Sequence, residues 1–126
     1  MGEIGIPGAP ASPTTSISVG TLYTNIFVGN RVSISLDSDA VDVSGATIIS
    51  VVTSGGSVTI GGLAGGIEDQ IVFIYKSSSA NNLIIEHNEA TGTQKIITHD
   101  TSDITLTNYG GIMLIFSGAN WFEINR

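Results

Sequence analysis

Cysteine is absent from the 126 residues, which excludes a disulfide-stapled scaffold. Positive charge is scarce as well: Arg31, Lys76, Lys95 and Arg126 face eleven Asp and Glu residues, for a formal net charge of -7. With no basic patch to neutralise phosphates, no nucleic-acid partner is expected. No apolar run approaches the roughly 18 residues of a membrane helix, so no membrane partner is expected either. The opening MGEIGIPGAP has neither the basic start nor the apolar centre of a signal peptide, and export through one is not expected. Charged residues make up 12% of the chain against 41% hydrophobic, which places it with folded rather than disordered sequences and, at this length, predicts one domain core.

Proline is confined to the start. Pro7, Pro10 and Pro13 all fall in MGEIGIPGAPASPTTS, and residues 1–16 are expected to form an extended arm preceding a β-domain of residues 17–126. Gly2-Glu3-Ile4, Gly5-Ile6-Pro7 and Gly8-Ala9-Pro10 are three consecutive Gly-X-Y triplets, the repeat of a collagen triple helix. Three triplets are too few to hold such a helix unaided, and a Pro-rich tail with glycines at period three by coincidence fits equally well. In either case about 15 residues at roughly 3.1 Å each span about 45 Å, enough to cross a neighbouring subunit.

From Ile17 onward the pattern has period two. Ile17-Ser18-Val19, Val32 to Leu36, Val41-Asp42-Val43 and Ser57 to Ile60 alternate apolar with small polar residues, as half-buried strands do. The apolar runs Thr47 to Val52, Gln70 to Tyr75, Leu83 to Glu86, Lys95 to Thr98 and Gly111 to Phe116 predict strands covered on both faces. Gly, Asn, Asp and Ser clusters punctuate them, and no window carries helix formers at helical spacing. The expected fold is therefore all-β, an antiparallel β-sandwich or barrel-like domain. Gly61 to Gly66 reads as a loop where backbones approach closely; the Lys-Ser/Thr of a phosphate loop does not follow it.

Sites of chemistry are sparse. No Ser stands in a nucleophile-elbow frame. His87 and His99, with Glu86, Glu89 and Asp100 near them, could hold a metal, but two nitrogens without a third make a polar rim the preferred reading. Asp37, Asp39 and Asp42 match only the opening of a calcium loop and read better as turn residues. Glu86, Glu89, Asp100 and Asp103 could supply a glycosidase pair, yet scattered acids of an acidic chain are usually solvated. No catalytic residue, metal or cofactor is expected. Tyr109, Phe116, Trp121 and Phe122 concentrate aromatic surface in a C-terminal hairpin around Ser117 to Asn120, either closing the core or, at Tyr109 and Trp121, meeting a ligand.

The order Thr59-Ile60-Gly61-Gly62-Leu63, Glu68 to Tyr75, Asn82 to Asn88, Asp103 to Thr107, Gly111 to Phe116 and Trp121-Phe122-Glu123-Ile124 resembles the β-domains at the ends of bacteriophage fibres, neck appendages and head-decoration proteins. Glu68-Asp69-Gln70 departs from the Asp-Gly-Gln expected there. The resemblance implies a homotrimeric virion part without catalytic residues, displayed on the outer surface of the particle. A trimer would also cover the apolar runs, with Ile71, Phe73, Ile112, Leu114 and Phe116 as its expected core. The expected function is capsid decoration, as a cement protein or short head fibre whose arm docks on the major capsid protein through Ile4, Ile6 and Pro7. The alternative is a receptor-binding tip that recognises a host glycan through Tyr109 and Trp121 or through the loops Ser77 to Asn82 and Glu89 to Thr93.

Overall fold

The computed structural model describes residues 28–124; the arm of residues 1–16, with Ile4, Ile6 and Pro7, lies outside them. Eleven strands run through the described residues: β1 (Arg31–Ile34), β2 (Val41–Asp42), β3 (Ile48–Val51), β4 (Val58–Ile60), β5 (Leu63–Ala64), β6 (Ile71–Lys76), β7 (Leu83–Ile85), β8 (Lys95–Ile97), β9 (Ile104–Leu106), β10 (Gly110–Ser117) and β11 (Asn120–Glu123). No helix occurs among the described residues. The strands form a six-stranded sheet ordered β1-β3-β6-β10-β11-β8, a three-stranded sheet β4-β7-β9 and a pair β2-β5.

The all-β expectation holds, but the antiparallel one does not. Five of the eight strand pairings are parallel: β1 with β3, β3 with β6, β4 with β7, β2 with β5 and β11 with β8. Through β7 the chain winds from sheet to sheet and returns to stack on itself, so Ile48 pairs with Phe73, Val58 with Leu83 and Val41 with Leu63, each one winding later. The result is a short solenoid. Its corners are the Gly, Ser and Asn clusters, which turn the chain from one sheet to the next instead of folding it straight back. The antiparallel β10–β11 hairpin closes the structure through the two-residue turn Gly118-Ala119; Gly118 has φ +70°, the first position of a type II′ turn, which favours glycine.

Period-two alternation builds the interior. Ile49 and Val51, Val72 and Ile74, and Leu114 point inward from the large sheet to meet Val58, Ile60, Leu83 and Ile85 from the three-stranded sheet, with Val43 and Leu63 from the pair; each is at most 1% exposed. Trp121 fills the closing end of this core.

One positional expectation is corrected here. Ile112, Leu114 and Phe116, expected in a trimer core, lie in the chain's own core at 6, 0 and 6% exposure, because the corresponding positions of β10 face the second sheet. Within the single chain the run Ile71 to Tyr75 is covered on one face: Val72 and Ile74 are buried, whereas Ile71 and Phe73, expected in a trimer core, face outward at 40 and 39% exposure.

Candidate functional site

The outer face of the large sheet is apolar where a solvated face would be polar. Register places Ile71, Ile115, Phe122 and Ile97 side by side across β6, β10, β11 and β8. In the next row Ile48, Phe73 and Met113 align across β3, β6 and β10, and the Ile124 N–H donates to the Met113 carbonyl at 3.1 Å. Phe122 and Ile124 retain 38 and 43% of their surface exposed. Shallow depressions open on this face, one lined by Gln70, Ile71, Phe73 and Met113 and another by Phe73, Tyr75, Gly111 and Met113. The outward positions on β10 and β11 (Met113, Ile115, Phe122, Ile124) were legible in the alternation of those segments. The expectation chose the inward set instead, since periodicity separates two faces without saying which is inside.

Acidic residues gather on another surface, at the edge of the three-stranded sheet. Burial, followed by the charges of Glu89, Asp103, Asp39 and Asp37, pushes the Glu86 carboxyl above its ordinary value. The Thr91 hydroxyl lies 2.6 Å from Asp39 Oδ2 and 3.0 Å from Glu89 Oε2, bridging two of these acids. Asp103 is occupied as a backbone acceptor, taking the His87 N–H at 2.8 Å.

The His87 ring bonds the backbone rather than a shared centre with His99. The Thr98 N–H donates to His87 Nδ1 at 3.1 Å, which makes that nitrogen an acceptor and assigns the ring proton to Nε2. Thr98 is itself buried, its hydroxyl donating to the Ser102 carbonyl at 2.7 Å. The backbone N–H of His99 donates to Glu123 Oε1 at 2.8 Å on a different strand. Among the described residues no group of three or more His, Cys, Asp or Glu is placed to hold a metal ion.

Tyr109 and Trp121 do not form one surface. Tyr109 precedes β10 and is 69% exposed, while Trp121 pairs with Phe116 near the far end of the same strand and is fully buried. The Trp121 ring lies 5.1 Å from that of Phe116, and its Nε1–H donates to Gln94 Oε1 at 3.1 Å. Trp121 is thus a core residue and not a ligand platform. Its indole satisfies its one polar group on Gln94, a partner that no local pattern around residue 94 announces.

A family model for the phage depolymerase C-terminal beta sandwich domain matches residues 33–122, which takes in the strands from β1 to β11. Neither the curated proteins nor the solved structures yield a match. The match covers more than half of the chain and points to a phage virion β-domain: this chain belongs to the phage depolymerase C-terminal beta sandwich domain family.

Proposed function

We propose that the chain is a non-catalytic structural module of a phage tail fibre or spike, and that three copies close their apolar sheet faces around a common axis. The observation that carries this reading is the outward row of Ile71, Ile115, Phe122 and Ile97. A 38% exposed Phe122 keeps about 80 Å² in water. Covering it contributes about 2 kcal/mol per ring. Several such side chains per subunit form a patch that soluble monomers rarely leave open. A threefold arrangement joins like faces without leaving an edge for open-ended growth.

The depolymerase description of the family favours a tail location. Capsid decoration would use the same hub and attach it through the arm at Ile4, Ile6 and Pro7; antibody labelling of particles in the electron microscope separates head from tail. The hub is tested by sedimentation velocity over a dilution series. Wild type is expected as a trimer, and Ile71→Glu or Phe122→Glu as a folded monomer. A wild-type chain that sediments as a monomer at tens of micromolar overturns the proposal.

A further inference from the structure

We propose that the free edge of β1 is the docking surface for residues 17–19 of the same chain, which add one more parallel strand to the large sheet, with Ile17 beside Val32 and Val19 beside Ile34. The hydrogen-bond pattern leaves that edge open. The Asn30 carbonyl accepts the Ile48 N–H at 3.0 Å, and the Ile34 carbonyl accepts the Val52 N–H at 2.8 Å. Bonding directions alternate along a strand, so Val32 also bonds towards β3, while Arg31 and Ser33 aim their N–H and C=O groups at the opposite side. No described strand lies there, since β1 ends the sheet. Such an edge is a template for a further strand.

The apolar layer is incomplete at the same end. Val32 and Ile34 pack against the core yet stay half-buried, whereas their partners one winding later, Ile49 and Val51, are fully buried. Leu36, two positions on, is 78% exposed. Solenoids need a terminal cap over their last apolar layer.

The chain enters β1 through a corner that later windings share. Asn30 Nδ2 donates to the Gly45 carbonyl at 3.1 Å, and the Asn30 N–H donates to Thr47 Oγ1 at 2.9 Å. One winding later Gln70 Nε2 donates to the carbonyls of Val43 and Ala46, both at 2.8 Å. Side-chain amides thus tie each passage of the chain through this corner to its neighbour, and the first described residues already lie in it.

The sequence before Val28 supplies the missing strand. Ile17-Ser18-Val19, Val32-Ser33-Ile34 and Ile49-Ser50-Val51 share one apolar-Ser-apolar pattern, and the last two are paired residue for residue. Setting the first beside the second lays Ile17 and Val19 over the half-covered Val32 and Ile34, and Ser18 beside Ser33. In this register the Ser33 N–H donates to the Ile17 carbonyl, and the Ser33 carbonyl accepts the Val19 N–H. Residues 20–31 give the return path twelve residues, against the fourteen of 35–48 that carry the chain from Ile34 to Ile49. Being tethered, the segment meets the edge at a high effective concentration that a second copy must exceed. Docked in this way, the strand starts on the side of the shared corner, which fixes where residues 1–16 leave the domain.

The inference does not depend on the trimer. Amide exchange of the full chain, followed residue by residue by NMR, tests it. The Ser33 N–H is expected to exchange at least about a hundredfold more slowly than in an unstructured chain. Ile17→Asp and Val19→Asp should each quicken it about tenfold or more, while Ser18→Asp should not; the Ile49 N–H should stay protected in all three, which shows that the domain remains folded. Because the chain has no Cys, pairing Ser18→Cys with Ser33→Cys identifies the donor of the strand under mild oxidation. Adjacent strands bring the two Cα atoms within the bridging range of about 4.4–6.8 Å, and the disulfide should form within one chain. Free exchange at Ser33, protection that survives both Ile17→Asp and Val19→Asp, a disulfide that joins two chains, or no disulfide at all overturns the proposal. Sedimentation of the wild type, which decides the trimer, moves none of these readouts.

Discussion

Gly66 offers the sharpest test of how the closing end of the core is assembled. A Cβ built on it would lie 2.3 Å from Cζ2 of Trp121, 3.0 Å from its Cε2 and 2.9 Å from Gln94 Oε1. Carbon atoms prefer about 3.5–4.0 Å, so the indole must retreat by more than about 1 Å. It has nowhere to go, being fully buried against Phe116. Gln94 is equally committed, accepting the Gly66 N–H at 2.9 Å, accepting Trp121 Nε1–H at 3.1 Å and donating to the Gly66 carbonyl at 3.2 Å. Overpacking costs about 1–3 kcal/mol and a lost hydrogen bond about 1 kcal/mol, against a gain of about 0.4–1 kcal/mol from stiffening the unfolded chain. Gly66→Ala should therefore lose about 2–3 kcal/mol. Gly55→Ala is the control, since a Cβ there meets nothing within 4 Å and the backbone is not left-handed; it should be neutral or slightly stabilising. Trp121 is the chain's single tryptophan, so its fluorescence during urea unfolding at fixed protein concentration reports directly on the site. Equal stability of the two variants, within about 0.5 kcal/mol, would refute the account of this end of the core.

Three further outcomes follow from the structure. Glu68 is held below its ordinary value of 4.5 by the Gly118 N–H and then the Ser117 hydroxyl, and Asp42 below 3.8 by the N–H and hydroxyl of Ser44. Their stabilisation is complete above those ordinary values and is lost as pH falls through the lowered ones, so Glu68→Gln should flatten the acid limb of a stability-versus-pH curve. Glu86 has the opposite sign: ionising it is unfavourable at neutral pH, and the penalty disappears as pH falls through its raised value towards 4.5, so Glu86→Gln should stabilise at pH 7 and be neutral at pH 4 in the same titration. Lys76→Met removes the ammonium donor from the Ser78 carbonyl and one of the two side-chain donors from the Ala80 carbonyl; amide exchange across residues 77–82 should quicken while that of β10 is unchanged.

Strand positions were legible because β-branched alternation is a local signal. The expected Lys95 to Thr98 and Gly111 to Phe116 coincide with β8 and β10 to within one residue at either end. The glycine loop was legible as well. A Cβ on Gly62 would come within 2.7 Å of both the Asp39 carbonyl and Gly92 Cα, the close backbone approach expected there. The same loop concealed β5, whose two residues Leu63–Ala64 are too few to show a period. Neighbours were not legible: Val58 faces inward whether it lies beside Leu83 in a parallel or an antiparallel ladder, and only the corner geometry decides. The buried side of a fully apolar run was hidden for the same reason, so Leu114 and Ile71, both expected in one trimer core, lie on opposite faces of the large sheet. Lys76, the only cation in its segment, gave no sign that carbonyls two and four residues ahead would enclose it.

The order β10-β11-β8 has a consequence for synthesis. β11, the last of the described strands, is not added at the rim; it slots between two strands made before it, and among the described residues β8 has no other neighbour in the large sheet until residues 120–122 arrive. A nascent chain halted before residue 120 would therefore forfeit two ladders at once, leaving an incomplete sheet margin that a chaperone or protease can recognise.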